Sequence, residues 1–463
     1  AIAKDCRDCM HTNSNTYLEN KKMILVLGGT TEGRIAVQTL EEAGKPFYYS
    51  TKGYEQDIPL HNGIRLQGGM DKDAMESFCR KENISLLIDA AHPFAEELHR
   101  NVNDVSDKLQ IPAILYDRIY PRIEKHDGIV WCDSFEDAVQ KIKKEEVYIL
   151  LALTGVKSIG KLKALWQESC RCYFRILDRE SSRELARSEA FPEEYLRYYH
   201  AGEDERLLIR QIRPDAIVIK ESGASGGFSE KVEAAQELGI RIFIIKRPPL
   251  QPNLLPVNGR HGLRRMVELY HPGFYDLRSG FTTGTCAAAA AAAAIWDIFN
   301  LDGTPRPPEF IVTLPNGEMI GVPVEPQKQR PRSSSVNDNW MVESEACVIK
   351  DAGDDPDITN GMQIKVNIAL PFNMDEVNSG KQQDDYNIII AGGEGIGIVT
   401  MPGLGLELGA PAINPTPRKM IEENVRMYLS YVGVPKMSNP IVVTISVPGG
   451  EEIAKRTFNP RLG

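Results

Sequence analysis

The sequence predicts an α/β protein in which two Rossmann-like parallel-sheet domains are followed by a separate α+β domain. Three observations lead there. Apolar strands alternate with amphipathic helices from Met23 to Leu115, a second such run extends from Val147 to Ile245, and the texture changes after Tyr275. With 463 residues the chain exceeds what one hydrophobic core normally organises, so several domains are expected.

In the first run, Ile24-Leu25-Val26-Leu27 reads as a strand and Arg34 to Ala43 as a helix closed by Gly44. Phe47-Tyr48-Tyr49, Leu86-Leu87-Ile88-Asp89 and Ile114-Leu115 continue the strands. Alternation of this kind builds a parallel, doubly wound sheet. In the second run the strands are Val147 to Leu153, Tyr173 to Leu177, Ile217 to Ile219 and Ile242 to Ile245. Pro248-Pro249, Pro252 and Pro256 then break the pattern as a stiff linker would. The third region carries an alanine run from Ala287 to Ala294, β-type stretches such as Phe310-Ile311-Val312, and a polar stretch, Gln327 to Asn339, that reads as a loop or insertion.

The expected limits are a disordered or non-native leader over 1–22, a nucleotide-binding domain over 23–125, and a second Rossmann-like domain over 126–249. A Pro-rich linker over 250–274 and the α+β domain over 275–463 follow. Met23 sits directly on the first strong strand and is the expected natural start. The end at Gly463, just after the strand-like Ile441 to Val447, is expected to be a cut.

Composition excludes several classes. Apolar residues at 42% and charged residues at 25% are values of soluble globular proteins, which argues against disorder and fibres. A net charge of −10 argues against a nucleic-acid partner, which needs a basic footprint. No apolar stretch approaches the ~20 residues of a membrane span and no signal peptide is evident, so the expected location is the cytoplasm. Eight scattered cysteines are too few for a disulfide framework, and the Cys6–Cys9 pair has no second pair to complete a zinc site, so no metal is expected.

The first strand runs straight into Gly28-Gly29-Thr30-Thr31-Glu32-Gly33-Arg34, and a helix begins within that loop. Glycines let a backbone approach a phosphate while free N–H groups and the helix dipole face the anion. The alternative is a plain strand-to-helix turn. The order strand, loop, helix favours a dinucleotide. NAD enzymes place an acid on the ribose 2′-hydroxyl at the end of the second strand. Here Ser50-Thr51-Lys52 stands there, and two hydroxyls with a cation suit a 2′-phosphate, so NADPH is expected over NADH.

At the end of a later strand stands Asp89-Ala90-Ala91-His92-Pro93-Phe94-Ala95, in the crevice where such sheets bind ligands. Together with the glycine loop it resembles the signature pair of the precorrin-6A reductases of corrin synthesis. Further matches are Lys220-Glu221-Ser222-Gly223-Ala224-Ser225-Gly226-Gly227, then Glu230-Lys231, and Lys246-Arg247-Pro248. The resemblance spans Met23 to about Pro249. It implies NADPH on the first domain, contacted by the glycine loop, Ser50 to Lys52 and Ala91-His92-Pro93, with a tetrapyrrole in the cleft between the domains. His92 is a candidate proton donor or substrate contact, or else only shapes the crevice. Because such substrates carry many carboxylates, Lys157, Lys220, Lys231 and Arg247 are candidate contacts, the alternative for each being a solvated surface charge. Ser222, Gly223, Gly226 and Gly227 form a loop expected to seat an anion through its backbone.

Arg278 to Cys286, a Gly/Thr-rich loop feeding the alanine run, resembles the opening of the cobalt-precorrin-5B C1-methyltransferases. Lys350-Asp351-Ala352-Gly353-Asp354-Asp355-Pro356-Asp357, Gly393 to Gly397 and Pro411 to Pro415 match later motifs. Ala410 stands where many members have Glu. The resemblance covers about Tyr275 to Gly463 and implies corrinoid contacts at Thr283, Gly284, Thr285 and Cys286. Family members continue well beyond this end, so S-adenosylmethionine is expected only if that half is complete. The four aspartates from Asp351 to Asp357 lack the spacing of a calcium loop and read as a polar turn. The expected function is reduction of a ring double bond of (cobalt-)precorrin-6A. The alternative is a corrinoid-binding or channelling module in which only the reductase half is catalytic. Contact with other corrin-pathway enzymes is a further expectation.

Overall fold

The computed structural model describes residues 22–53, 58–120, 128–200, 202–300, 304–336, 339–373, 385–400, 406–436 and 439–455. The expected leader, Cys6, Cys9 and the last eight residues lie outside them. The chain divides into two compact units, 1–256 and 257–463.

The first unit holds two sheets. In one, β1 (Met23–Leu27), β2 (Phe47–Thr51), β3 (Gly63–Gln67), β4 (Ile84–Asp89), β5 (Ala113–Tyr116) and a late strand, β12 (Leu254–Val257), lie in the order β3-β2-β1-β4-β5-β12. The pairs β1/β2, β1/β4, β2/β3 and β4/β5 are parallel. This is the Rossmann order, which reverses between β1 and β4. Both faces of a parallel sheet are covered, so its central strands are apolar throughout. All five residues of β1 are buried accordingly.

The other sheet is built the same way from β6 (Ile129–Cys132), β7 (Ile149–Ala152), β8 (Arg171–Leu177), β9 (Leu196–Tyr199), β10 (Ala216–Lys220) and β11 (Arg241–Ile245). Its order is β9-β8-β7-β10-β11-β6, every pair is parallel, and the reversal lies between β7 and β10. Sequence reading passed over β3, β6 and β9. Each flanks or ends a sheet, and β3 and β6 are only half-buried, so the apolar signal there is weak.

The helices carry their start signals in sequence. The Thr30 side chain accepts from the Gly33 amide ahead of α1 (Thr31–Glu41), and Asp71 accepts from Ala74 ahead of α2 (Lys72–Lys81). Each cap of this kind contributes about 1 kcal/mol. Helix α3 (Glu96–Leu109) follows β4, α4 (Phe135–Lys144) follows β6, and α5 (Phe228–Glu237) follows β10.

The expected linker over 250–274 is instead structured. Leu254–Val257 joins the first sheet beside β5, and α6 (Gly259–Tyr270) packs on the second unit. The prolines leave room for both, since Pro256 sits on an edge strand, where a missing donor costs nothing. Gly259, at φ +71°, lies so close to Glu318 that a Cβ would fall 2.2 Å from Glu318 Cγ.

The second unit is α+β. Helix α7 (Thr283–Phe299) contains the alanine run, and Ala287 to Ala294 are buried throughout. Small side chains let α8 (Pro415–Tyr431) and the long strands β13 (Asn339–Ile349) and β14 (Gln363–Asn373) pack closely on it. These strands belong to a mixed five-stranded sheet of order 332–336, β13, β14, 441–446, 388–392. Its first strand, Arg332–Val336, falls within the stretch expected to be a loop. A polar strand is tolerated at a sheet edge, and this one pairs antiparallel with β13 alone. A helical turn, Gly450–Ala454, follows the 441–446 strand. No helix among the described residues is long and apolar enough to cross a membrane.

Candidate active-site crevice and a groove of the second unit

The glycine loop leaves β1 at the point where the strand order reverses, the usual ligand position in open α/β sheets. Gly28 donates to the Ser50 carbonyl at 2.9 Å, and Gly29, at φ +114°, donates to the Tyr49 hydroxyl at 3.2 Å. A Cβ on Gly28 would fall 2.5 Å from Tyr49 Cε2. Thr30 Oγ1 donates to the Ala90 carbonyl at 2.7 Å while capping α1, which ties the loop to the end of β4. The Thr31 and Glu32 amides then head an eleven-residue helix, the place where an anion is held. Close packing of this loop and the reversal of the sheet fit a dinucleotide pyrophosphate.

Not every loop residue faces that position. Glu32 is buried, with Arg118 Nη2 3.0 Å from its Oε2 and the Ser225 hydroxyl donating to its Oε1. Its carboxylate is a strut to the second sheet, which leaves its backbone amide as the group that can face an anion. Ser50 and Thr51 are also buried, and the Thr51 hydroxyl donates to the Gly53 carbonyl at 2.9 Å. Of that expected trio only Lys52 is exposed. Arg34 is exposed too, and both Arg34 and Arg65 act on the Tyr49 hydroxyl, with the Arg65 guanidinium 5.7 Å from the centre of the Tyr49 ring. Arg65 was not foreseen, because β3 was not.

At the end of β4, Asp89 is fully buried; its Oδ1 accepts from the Ala91 amide at 3.1 Å, and its Oδ2 lies 2.6 Å from His99 Nδ1. His99 Nε2 lies 3.0 Å from the His92 carbonyl, which can only accept. Both His99 nitrogens are thus placed to donate, as an imidazolium would. Burial opposes that charge, but the hydrogen bond and charge of Asp89 outweigh it and raise the pKa. His92 behaves oppositely. Burial first, then the charges of Arg118, Lys220, His99 and Lys157, push it down to about 3. Its Nδ1 accepts from the Phe94 amide at 3.2 Å, so the neutral ring carries its hydrogen on Nε2. A neutral imidazole is a poor acid, so this environment disfavours His92 as a proton donor and favours a contact or a residue that only shapes the crevice.

Across the crevice stand Lys157 after β7 and Lys220 at the end of β10. Lys157 and Lys161 are exposed. Lys220 Nζ lies 5.1 Å from the centre of the Phe94 ring and 5.6 Å from that of Phe135. Phe94 also packs against the core of the second sheet. Lys231 Nζ donates to the Gly226 carbonyl at 2.8 Å.

The loop from Ser222 to Gly227 does not seat an anion as expected. Arg118 Nη1 donates to the Ser222 carbonyl at 2.7 Å, and a Cβ on Gly223 or Gly226 would fall 2.7 and 3.0 Å from Arg118 atoms. The amides of Ala224, Gly226 and Gly227 donate to Ile119, Gly223 and Ala224 carbonyls. The glycines thus make room for a guanidinium. Arg118, just past β5, and His99, on α3, are the residues sequence reading missed. A carboxylate inside a phosphate loop was the signal, since Glu32 needs a cation beside it.

In the second unit, Ser279 to Thr285, Lys350, Asp355, Asp357, Asn316 and Pro417 line a groove of about 900 Å³. Thr282 caps α7, accepting from the Thr285 amide at 3.1 Å. Lys350 is buried, with its ammonium donating to Thr283 Oγ1 at 3.1 Å, to Thr359 Oγ1 at 2.6 Å and to Asp357. Asp351 pairs with Arg278, and Asp354 accepts from the Arg278 amide at 2.6 Å, so these aspartates brace a turn. Cys286, an expected contact, is fully buried and does not line the groove; burial pushes its thiol up to about 12.

The model of the precorrin-6x reductase CbiJ/CobK family matches residues 23–268, and the CbiD model matches residues 271–463. Cobalt-precorrin-5B C(1)-methyltransferases of Prosthecochloris aestuarii and Moorella thermoacetica are 42% and 43% identical over 188 and 187 residues, 41% and 40% of this chain and 44% and 42% of theirs. The chain thus spans less than half the length of these curated relatives. A solved structure titled CobK precorrin-6A reductase covers 54% of this chain and 98% of its own, at 22% identity and a TM-score of 0.45. The chain belongs to the precorrin-6x reductase CbiJ/CobK family, and the region behind that match is similar to CbiD.

Proposed function

We propose that the first unit reduces a ring double bond of (cobalt-)precorrin-6A with NADPH, and that the second binds a corrinoid as the C1-methyltransferases do. One observation supports the reductase reading above the others. A glycine loop built for a pyrophosphate and the cation-rich ends of β7 and β10 border one crevice, where a hydride donor and a polycarboxylate would both be held. The reduced nicotinamide, when bound, supplies the hydride.

The chain's own residues hold and orient. The Thr31 and Glu32 amides take the pyrophosphate, Gly28 and Gly29 leave room for it to approach, and Arg34, Lys52 and Arg65 take the 2′-phosphate. Lys157 and Lys161 draw substrate carboxylates into the crevice, where charge-assisted hydrogen bonds are about twice as strong as neutral ones. Arg118 fixes the two loops against each other. In the second unit the groove at Thr282 to Thr285 takes the corrinoid, with S-adenosylmethionine as methyl source for the complete domain. The test is anaerobic incubation with cobalt-precorrin-6A. NADPH absorbance should fall in proportion to substrate added, whereas intact NADPH binding without turnover would overturn the reading.

A further inference from the structure

Ring reduction needs a proton as well as a hydride, and the group that gives it must be protonated at working pH and able to let the proton go. His92 fails the first condition. His99 is committed on both nitrogens, to Asp89 and to the His92 carbonyl. Arg118 is a guanidinium, which does not deprotonate in proteins, and both its terminal nitrogens are engaged. Tyr120 donates to Asp117 Oδ1 at 2.8 Å, and burial raises its pKa.

Lys220 is different. It ends β10 at the reversal of the second sheet, and it is held by the faces of Phe94 and Phe135. No hydrogen bond or ion pair to its ammonium is present among the described residues. Phe94 lies two residues from His92, so this ammonium borders the same crevice as the end of β4. The groups acting on it are all cationic: Lys161 and Lys157 from the segment after β7, and Lys231 from α5. Glu96 lies 4.0 Å from Lys161 and offsets part of that charge. Glu221, next in sequence, is occupied by the Arg247 amide at 3.0 Å.

We propose that Lys220 is the proton donor of the reduction. The inference rests on the reductase reading. As the ring double bond opens, one carbon takes the hydride and the other takes the proton from Lys220 Nζ. The N–H bond breaks, its electron pair stays on nitrogen, and the neutral amine regains a proton from water. Burial, then the neighbouring lysines, bring Lys220 down to about 8, which suits release of a proton near neutral pH.

The test has two arms. In protein without reductant, trace acetylation of Lys220, followed by peptide mass spectrometry against pH, should show a midpoint near 8. A midpoint at the ordinary lysine value of about 10.4 would overturn the proposal whatever the fate of the reductase reading. In turnover, Lys220→Arg keeps the charge but cannot release a proton. It should lose about 10²–10⁴-fold in kcat with KM little changed. Lys220→Ala should recover part of its rate with added ethylamine. Full activity of Lys220→Arg, in a preparation where the parent protein turns over, would sink the proton-donor role and leave the reductase reading standing. Absence of turnover in the parent would instead sink that reading, and a folding defect would show as lost NADPH binding.

Discussion

The Arg118 guanidinium lies 3.0 Å from the Glu32 carboxylate and donates to the Ser222 carbonyl at 2.7 Å, joining the glycine loop of one sheet to the glycine loop of the other. Both charges are buried, so each depends on the other for solvation. Removing one partner strands a charge, which costs about 3–5 kcal/mol, while removing both costs less. Arg118→Met and Glu32→Gln should each lower stability to denaturant by that order, and the double variant should lose less than their sum. Additive losses would show that the two side chains are not coupled.

The two histidines should titrate stability in opposite senses. His92 is held at about 3, below its unfolded value of about 6.5, so the unfolded chain binds more protons between these values. Stability is therefore lost as pH falls from 6.5 towards 3. His92→Asn should flatten that acid loss. His99 is raised, so its contribution is complete below 6.5 and fades as pH rises through the folded value. His99→Gln should destabilise by about 3–5 kcal/mol near pH 6, because Asp89 would be left as a buried charge without its counter-ion. Denaturant melts across pH read both effects, and equal slopes in all three proteins would refute them.

Cofactor choice should rest on the exposed cations and not on the buried hydroxyls. Charge-assisted contacts contribute about 1.5–3 kcal/mol, or roughly 10–100-fold in affinity. Arg34→Ala and Lys52→Ala should each weaken NADPH binding by that order and leave NADH binding unchanged. Thr51→Val should leave the preference intact, since that hydroxyl already donates to Gly53. Fluorescence titration of each variant with both reductants decides the matter.

Much of the fold was legible because the central strands are uninterrupted apolar runs and the loop after the first of them feeds a helix. What escaped lies where burial is partial or polar residues pair. The strand at Arg332–Val336 is mostly serine, and Leu254–Val257 is framed by prolines that normally argue against a strand. The site was legible as motifs but not as contacts. The Gly223 to Gly227 loop has the composition of an anion cradle, yet a guanidinium from a residue 104 positions from Ser222 fills it. Cys286 heads a helix, which by dipole should favour a thiolate, but full burial outweighs that effect. Neither outcome is readable from local spacing.

The most direct measurement of the central claim is label transfer from the reductant to the tetrapyrrole. With NADPH deuterated at the nicotinamide C4 position and anaerobic cobalt-precorrin-6A, the reduced product should carry the deuterium from one of the two C4 faces, as mass spectrometry of the product shows. A reduced product free of label from either face, formed while NADPH is consumed, would contradict direct hydride transfer in this crevice.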